Sequence, residues 1–203
     1  MRIVFIGYPH NRIYAWLCSK GHHVCYIDGN DSKGYVGKIH AFQPDFVILH
    51  GCHFILEDNL VSEYTDRIIN CHGSFLPYNR GAFPNIWSHL NGTVSGCTIH
   101  LINSEIDSGL ILFQEKIDFD ESFTLSQSYW HIRIALEDLF IENFENLINN
   151  KALIQGQKVA ASKVYYRKDL KRLGISDLSE VLNMSIKEFK TKYITLYNCQ
   201  FSE

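Results

Sequence analysis

Residues 69–92 read INCHGSFLPYNRGAFPNIWSHLNG, and residues 95–111 continue SGCTIHLINSEIDSGLI. Asn70 and His72 lie two apart at the end of an apolar run. A strand that continues through them sets both side chains on one side of the sheet. Pro77 then ends the strand, near Ser74. With Asp107, the stretch holds an amide, an imidazole and a carboxylate. An acyl-transfer site uses groups of these kinds: the amide donates to a developing oxyanion, the imidazole handles a proton, and the carboxylate fixes the imidazole.

Outward from this stretch, apolar runs alternate with helical spacing. Residues 2–6 read as a buried first strand that ends in Gly7. Ile13, Trp16 and Leu17 predict a helix over 11–20, with Gly21 as its C-cap candidate. Strands are expected at 23–27, 45–49 and 67–71, a short helix at 58–64, and a polar, glycine-containing loop at 28–37. Buried strands alternating with helices predict an α/β fold, with a mostly parallel sheet covered on both faces. Further on, a short helix is expected at 85–90 and strands at 96–102 and 110–119. The longest helix should run over 124–149, capped by Thr124 and buried through Leu125, Ile132, Leu136, Phe140 and Phe144. Residues 151–172 read as irregular or β, and 176–193 as one or two short helices.

The totals bound the reading. A chain of 203 residues, 46% hydrophobic, holds one domain with at most a small appendage. Its formal net charge of -3 argues against a nucleic-acid partner, since such domains are usually basic. The six cysteines include no CxxC pair and read as reduced, mostly buried thiols of a cytoplasmic protein. The first residues, MRIVFIGYPHNR, resemble neither a signal peptide nor a membrane span. His50 and His53 have a spacing seen in metal sites, but no third ligand clusters near them, so no metal is expected. The turn 7–12 sits where a phosphate could meet a helix start, yet it lacks repeated glycines; an ordinary tight turn reads equally well. His100 reads as a structural strand residue, and Trp130 as core.

The longer pattern resembles the 10-formyltetrahydrofolate-dependent formyltransferases. Their motif Asn-x-His-x-Ser-x-Leu-Pro is met by Asn70, His72, Ser74, Leu76 and Pro77. Arg80-Gly81 and Asn91-Gly92 follow, then Gly96, Thr98 and His100, then Asp107, Gly109 and Ile111. The resemblance covers about residues 1–150. It implies a Rossmann-like formyltransferase domain over 1–150, with 151–203 as a C-terminal extension packed on it. It also implies Asn70, His72 and Asp107 as the catalytic three, Asp107 orienting a protonated His72. The formyl donor, 10-formyltetrahydrofolate, is expected against Phe54, Ile55, Leu56 and Asn103.

Among relatives, sugar N-formyltransferases of the pseudaminic-acid type look most similar, through the run 76–87 and the later Tyr166-Arg167-Lys168-Asp169-Leu170. That implies a nucleotide-linked amino-sugar acceptor. Tyr78, Asn79, Arg80 and Arg12 are the acceptor candidates, by ring stacking or by an arginine fork on phosphate. Methionyl-tRNA formyltransferases share Arg80 to Pro84, but are expected to carry an RNA-binding domain. Formyltetrahydrofolate hydrolases share the core, with an expected regulatory domain before it. Three alternatives stay open: a glycinamide ribonucleotide enzyme, a stand-alone peptide-synthetase-type formylation domain, and a folate-binding protein without turnover. Residues 176–193 either form a homodimer surface or close the core.

Overall fold

The computed structural model describes residues 1–149 and 163–201. The expected boundary at 150/151 and the segment 151–162 lie outside the described residues. Six strands form one sheet in the order β2-β1-β3-β4-β6-β7. The first four are β1 (Arg2–Gly7), β2 (His23–Asp28), β3 (Phe46–His50) and β4 (Ile68–His72), all mutually parallel. Then β6 (Gly96–Leu101) runs antiparallel to both β4 and β7 (Ile111–Lys116). A two-residue strand β5 (Arg80–Gly81) pairs in parallel with β8 (Val164–Tyr165), and so ties the later chain to the motif loop.

The sheet is covered on both faces, as the continuous apolar runs predict. Successive side chains of β1 part to opposite sides. Ile3 and Phe5 pack with α1 (Arg12–Ser19) and α5 (Leu125–Ile148), while Val4 and Ile6 pack with α2 (Tyr35–Phe42) and α3 (Asp58–Glu63). Phe5, Phe140 and Phe144 are almost wholly buried. Each such side chain contributes about 1.5–3 kcal/mol through burial. A third cluster joins α4 (Pro84–Asn91) to the later chain: Trp87 stacks on Tyr165 at 4.2 Å and packs with Phe201 of α7 (Ile186–Phe201). The short helix α6 (Asp169–Arg172) and a single 3-10 turn (Leu178–Glu180) lie between β8 and α7.

Two helix starts show how the sequence sets the elements. Thr124 accepts from the Gln127 N–H while the Gln127 side chain accepts from the Thr124 N–H, a reciprocal cap that fixes where α5 begins. Asn11 caps α1 by accepting from the Ile13 N–H at 2.9 Å. The loop expected over 28–37 gives way to α2 at Tyr35. Tyr35 and Ile39, four apart, bury against the sheet, and that packing outweighs the cost of Gly37 inside the helix. The cysteines are all unpaired, but only Cys71 and Cys97 are buried, fewer than expected. Among the described residues no helix is long and apolar enough to cross a membrane.

Candidate active site

The parallel half of the sheet meets its antiparallel half at β4. There a cavity of about 830 Å³ opens at the end of the strand. Asn70 and His72 project from β4 into it, and Asp107 reaches it from the loop between β6 and β7. Register sets Asn70 opposite His100.

Hydrogen bonds orient each group. The His100 Nδ1–H donates to the Leu101 carbonyl at 2.7 Å, which leaves His100 Nε2 to accept from Asn70 Nδ2 at 3.1 Å. This fixes the direction of the Asn70 amide; its NH2 also meets Asp107 Oδ1 at 3.2 Å. The other oxygen, Asp107 Oδ2, accepts from the Gly81 N–H at 2.8 Å and faces His72 Nδ1 at 3.5 Å. One carboxylate thus holds the amide, the imidazole and the backbone of β5. Asp107 adopts a left-handed φ of 45°, a conformation that aspartate tolerates better than most residues. Gly81, at φ 91°, must be glycine: a Cβ there would lie 2.1 Å from the Tyr165 carbonyl oxygen.

The charges follow from burial and partners. Burial works to raise the Asp107 carboxyl, but His72, His100 and the Gly81 N–H outweigh it and hold it below the usual carboxylate range. His72 goes the other way from the sequence expectation. Asp107 favours its charged form, yet burial dominates and lowers its pKa, so the imidazole is neutral at pH 7. Even so, His72 Nδ1 faces Asp107 and His72 Nε2 faces the Asn79 carbonyl at 3.4 Å, both of them acceptors. A neutral ring satisfies one of the two; an imidazolium satisfies both. A proton added to His72 would complete both of these bonds.

Phe54, Ile55, Leu56 and Asn103 all line the cavity. Phe54, Ile55 and Leu56 form one side with Val61 and Ile102, a largely apolar wall suited to a flat ring. The Asn103 side chain serves its own loop, accepting from Ser108 Oγ at 2.7 Å. The acceptor candidates sit elsewhere. Arg12 pairs with Asp138 at 2.7 Å on the outer face of α5. Arg80 is buried, its Nε–H donating to the Ile106 carbonyl at 2.7 Å, where it braces the Asp107 loop. Asn79 is buried against Thr93 and Asn91. Tyr78 is exposed and outside the cavity lining. Trp87 is core, as its apolar helix face implies.

A further wall comes from the β8–α6 turn, where the Tyr166–Leu170 run noted in the sequence begins, and from α5, which sequence reading missed. Tyr129, Trp130 and Arg133 line the cavity with Tyr8, Tyr166 and Arg167. Trp130 is 50% exposed, which corrects its reading as core. The repeated i, i+3, i+4, i+7 spacing of Ser126, Tyr129, Trp130 and Arg133 was the available signal. His50 and His53 belong to this neighbourhood, and among the described residues they form no metal-type group. His50 Nδ1 accepts from Asn11 Nδ2 at 2.6 Å, and burial brings His50 down to about 3, so its 3.7 Å approach to Glu137 is not an ion pair.

The chain belongs to the formyl transferase family, whose pattern matches residues 28–143. A formyltetrahydrofolate deformylase of Haemophilus influenzae is 37% identical over 87 residues, covering 42% of this chain and 31% of that protein. A methionyl-tRNA formyltransferase of Thermodesulfovibrio yellowstonii is 28% identical over 153 residues, covering 73% of this chain and 48% of that protein. The chain therefore spans about a third to a half of the length of these relatives. Among solved structures, the formyltransferase PseJ from Anoxybacillus kamchatkensis superposes with a TM-score of 0.82 at 27% identity, over 95% of this chain and 100% of that one. That protein was solved with UDP-4,6-dideoxy-4-formamido-L-AltNAc and tetrahydrofolate.

Proposed function

We propose that this chain transfers a formyl group from 10-formyltetrahydrofolate to the amine of a nucleotide-linked amino sugar. The observation that carries the reading is the Asp107 carboxylate, which joins Asn70, His72 and the Gly81 N–H at one end of a cavity large enough for two ligands. The apolar wall from Phe54 to Leu56 fits a pterin ring, and the loop 102–106 offers backbone groups beside it. The likeness to PseJ, over nearly the whole chain, supports the sugar acceptor over the other members of the family.

Bound there, the folate supplies an activated formyl carbon. Asn70 Nδ2 turns one of its two N–H groups, held at rest by His100 and Asp107, to the formyl oxygen as charge builds on it; one such donor is worth about 3 kcal/mol of barrier. His72 receives the proton that the attacking amine gives up; with Asp107 holding its Nδ1 side, it turns its Nε2–H from the Asn79 carbonyl toward that oxygen as a second donor, and then passes the proton on. As the amine nitrogen bonds to the formyl carbon, the bond to the folate nitrogen breaks. The proton lost by the amine ends on that folate nitrogen, and Asp107, ionised and next to both groups, orders the transfer.

The test is release of tetrahydrofolate with a panel of amino-sugar nucleotides, with glycinamide ribonucleotide, and with no acceptor. A gain of one formyl mass on an amino-sugar nucleotide is the expected result. Formate release independent of any amine would instead make the chain a deformylase, the activity named for its relative in Haemophilus influenzae.

A further inference from the structure

Arg133 stands on α5 with its guanidinium between two rings, 4.8 Å from the Tyr8 centroid and 4.9 Å from that of Trp130. Its Nε–H donates to Glu137 at 3.2 Å, and Glu137 is buried. Among the described residues, Arg133's Nη1 and Nη2 meet no acceptor. A guanidinium held against two rings and at its Nε–H is left to present its two Nη groups, and Arg133 lines the cavity. Arg167 approaches from the β8–α6 turn. It lies 5.6 Å over the Phe83 ring, is exposed, and has no acidic partner among the described residues. Its charge reaches Tyr8 and His53, as that of Arg133 reaches Tyr8, so both cations act on one patch.

Two arginines with free donor groups, both lining the cavity and both acting on the Tyr8 neighbourhood, call for an anion to complete them. Keeping a glutamate buried is costly, and the closest cation to Glu137 is Arg133 at 3.2 Å, with Arg12 farther off at 3.8 Å. Beside them Trp130, 50% exposed, offers a flat surface. From Ser126 to Arg133 the helix rises about 10 Å, roughly the reach of a base, ribose and two phosphates. We propose that Arg133 and Arg167 clamp the diphosphate of the acceptor, with Trp130 as the platform for its base and Glu137 as the residue that positions Arg133. This rests on the transfer reading above and deepens it: the acceptor is a nucleoside diphosphate derivative whose sugar end points toward Asn70 and His72. The other anion that could come here is the glutamate tail of the folate.

The experiment is calorimetric titration of the full chain with uridine 5′-diphosphate, with inorganic pyrophosphate, and with 5-formyltetrahydrofolate in mono- and triglutamate forms. Arg167→Met, on an exposed side chain, should weaken uridine diphosphate and pyrophosphate by about 10-fold or more and leave both folates alone. Arg133→Met should do the same. Because it leaves Glu137 buried without its partner, Arg133→Lys is run beside it: charge is kept, the fork is lost, and diphosphate affinity should still fall. Trp130→Ala should weaken uridine diphosphate but not pyrophosphate. Unchanged diphosphate affinity in Arg167→Met and Arg133→Lys overturns the clamp. So does a loss confined to the triglutamate folate, which would assign the wall to the donor's tail. A wild-type chain that binds folate and releases it on turnover but binds no diphosphate refutes the clamp and leaves the transfer reading standing. Arginine-dependent diphosphate binding without any folate binding does the reverse.

Discussion

The corner at β4 and the wall on α5 are built on opposite plans. The corner is dry and reciprocal. His72 and Asp107 keep only 8% and 13% of their side-chain surface exposed, and the Asn70 amide N–H groups, His72 Nδ1 and both Asp107 oxygens each face a neighbour in the site. The wall is half wet, and its arginines line the cavity with donor groups free. A group that must act on developing charge gains from low dielectric and fixed geometry. A group that must capture a charged ligand from water gains from reach and accessibility. The two regions should therefore fail differently when damaged.

The largest effect belongs to the corner. His72→Ala should cut kcat by about 100-fold or more while leaving folate affinity near normal, because the donor it removes works in the transition state. Trp130→Ala, on the wall, should raise KM for the acceptor and spare kcat. Steady-state kinetics with acceptor varied at saturating folate separates the two. An equal effect on both parameters in both variants would erase the distinction drawn here.

Next comes the joint between the regions. Gly81 donates to Asp107 and pairs with Tyr165, so it touches corner and wall together. Gly81→Ala sets a methyl group 2.1 Å from the Tyr165 carbonyl oxygen. It should cost about 2 kcal/mol or more in stability, from backbone strain and overpacking, and lower kcat and acceptor affinity together. Chemical denaturation and the same kinetics measure both parts.

Acidification should loosen the whole molecule. In the unfolded chain histidine takes up its proton near 6.5; in the folded chain burial delays that to about 4 for His89 and about 3 for His50, and lowers His72 as well. Between those limits the unfolded state binds more protons, so stability present at pH 7 is lost progressively as pH falls from about 6.5 toward 4. Asp107, held below its ordinary value, adds a loss in the same sense only below about pH 4. Urea midpoints at several pH values should fall over the histidine window. A midpoint constant from pH 7 to pH 5 would contradict the neutral, buried assignment of these rings.

The same contrast explains what the sequence disclosed. The corner is coded by short spacings: Asn70 and His72 are two apart on a strand, and Asp107 lies on the turn to the next hairpin strand, so local order places all three. The sheet was legible for a related reason, since buried parallel strands leave unbroken apolar runs at 2–6 and 45–49. α2 was not legible, because a single glycine and two apolar contacts give little periodicity to read. The α5 side of the wall escaped because tertiary packing joins it to Tyr8 and Arg167, far apart in sequence. Arg12 and Arg80 drew attention in its place because they stand near motif turns; in the fold one meets Asp138 and the other the Ile106 carbonyl. The smallest effect follows from this. Arg12→Ala removes an exposed pair worth less than about 1 kcal/mol and should leave diphosphate affinity unchanged, as should Tyr78→Ala. A tenfold loss with Tyr78→Ala would return the acceptor to the motif loop, and one with Arg12→Ala to the turn at the start of α1.

The central claim is that Asp107 binds amide and imidazole into one catalytic unit. A double-mutant cycle tests it directly: formyl transfer rates for His72→Ala, Asp107→Ala and the pair, with folding checked by circular dichroism. The arrangement predicts that the double variant is scarcely slower than either single one, because each substitution already disables the unit. Losses that multiply, or single variants that fold and keep near-normal rates, would contradict it.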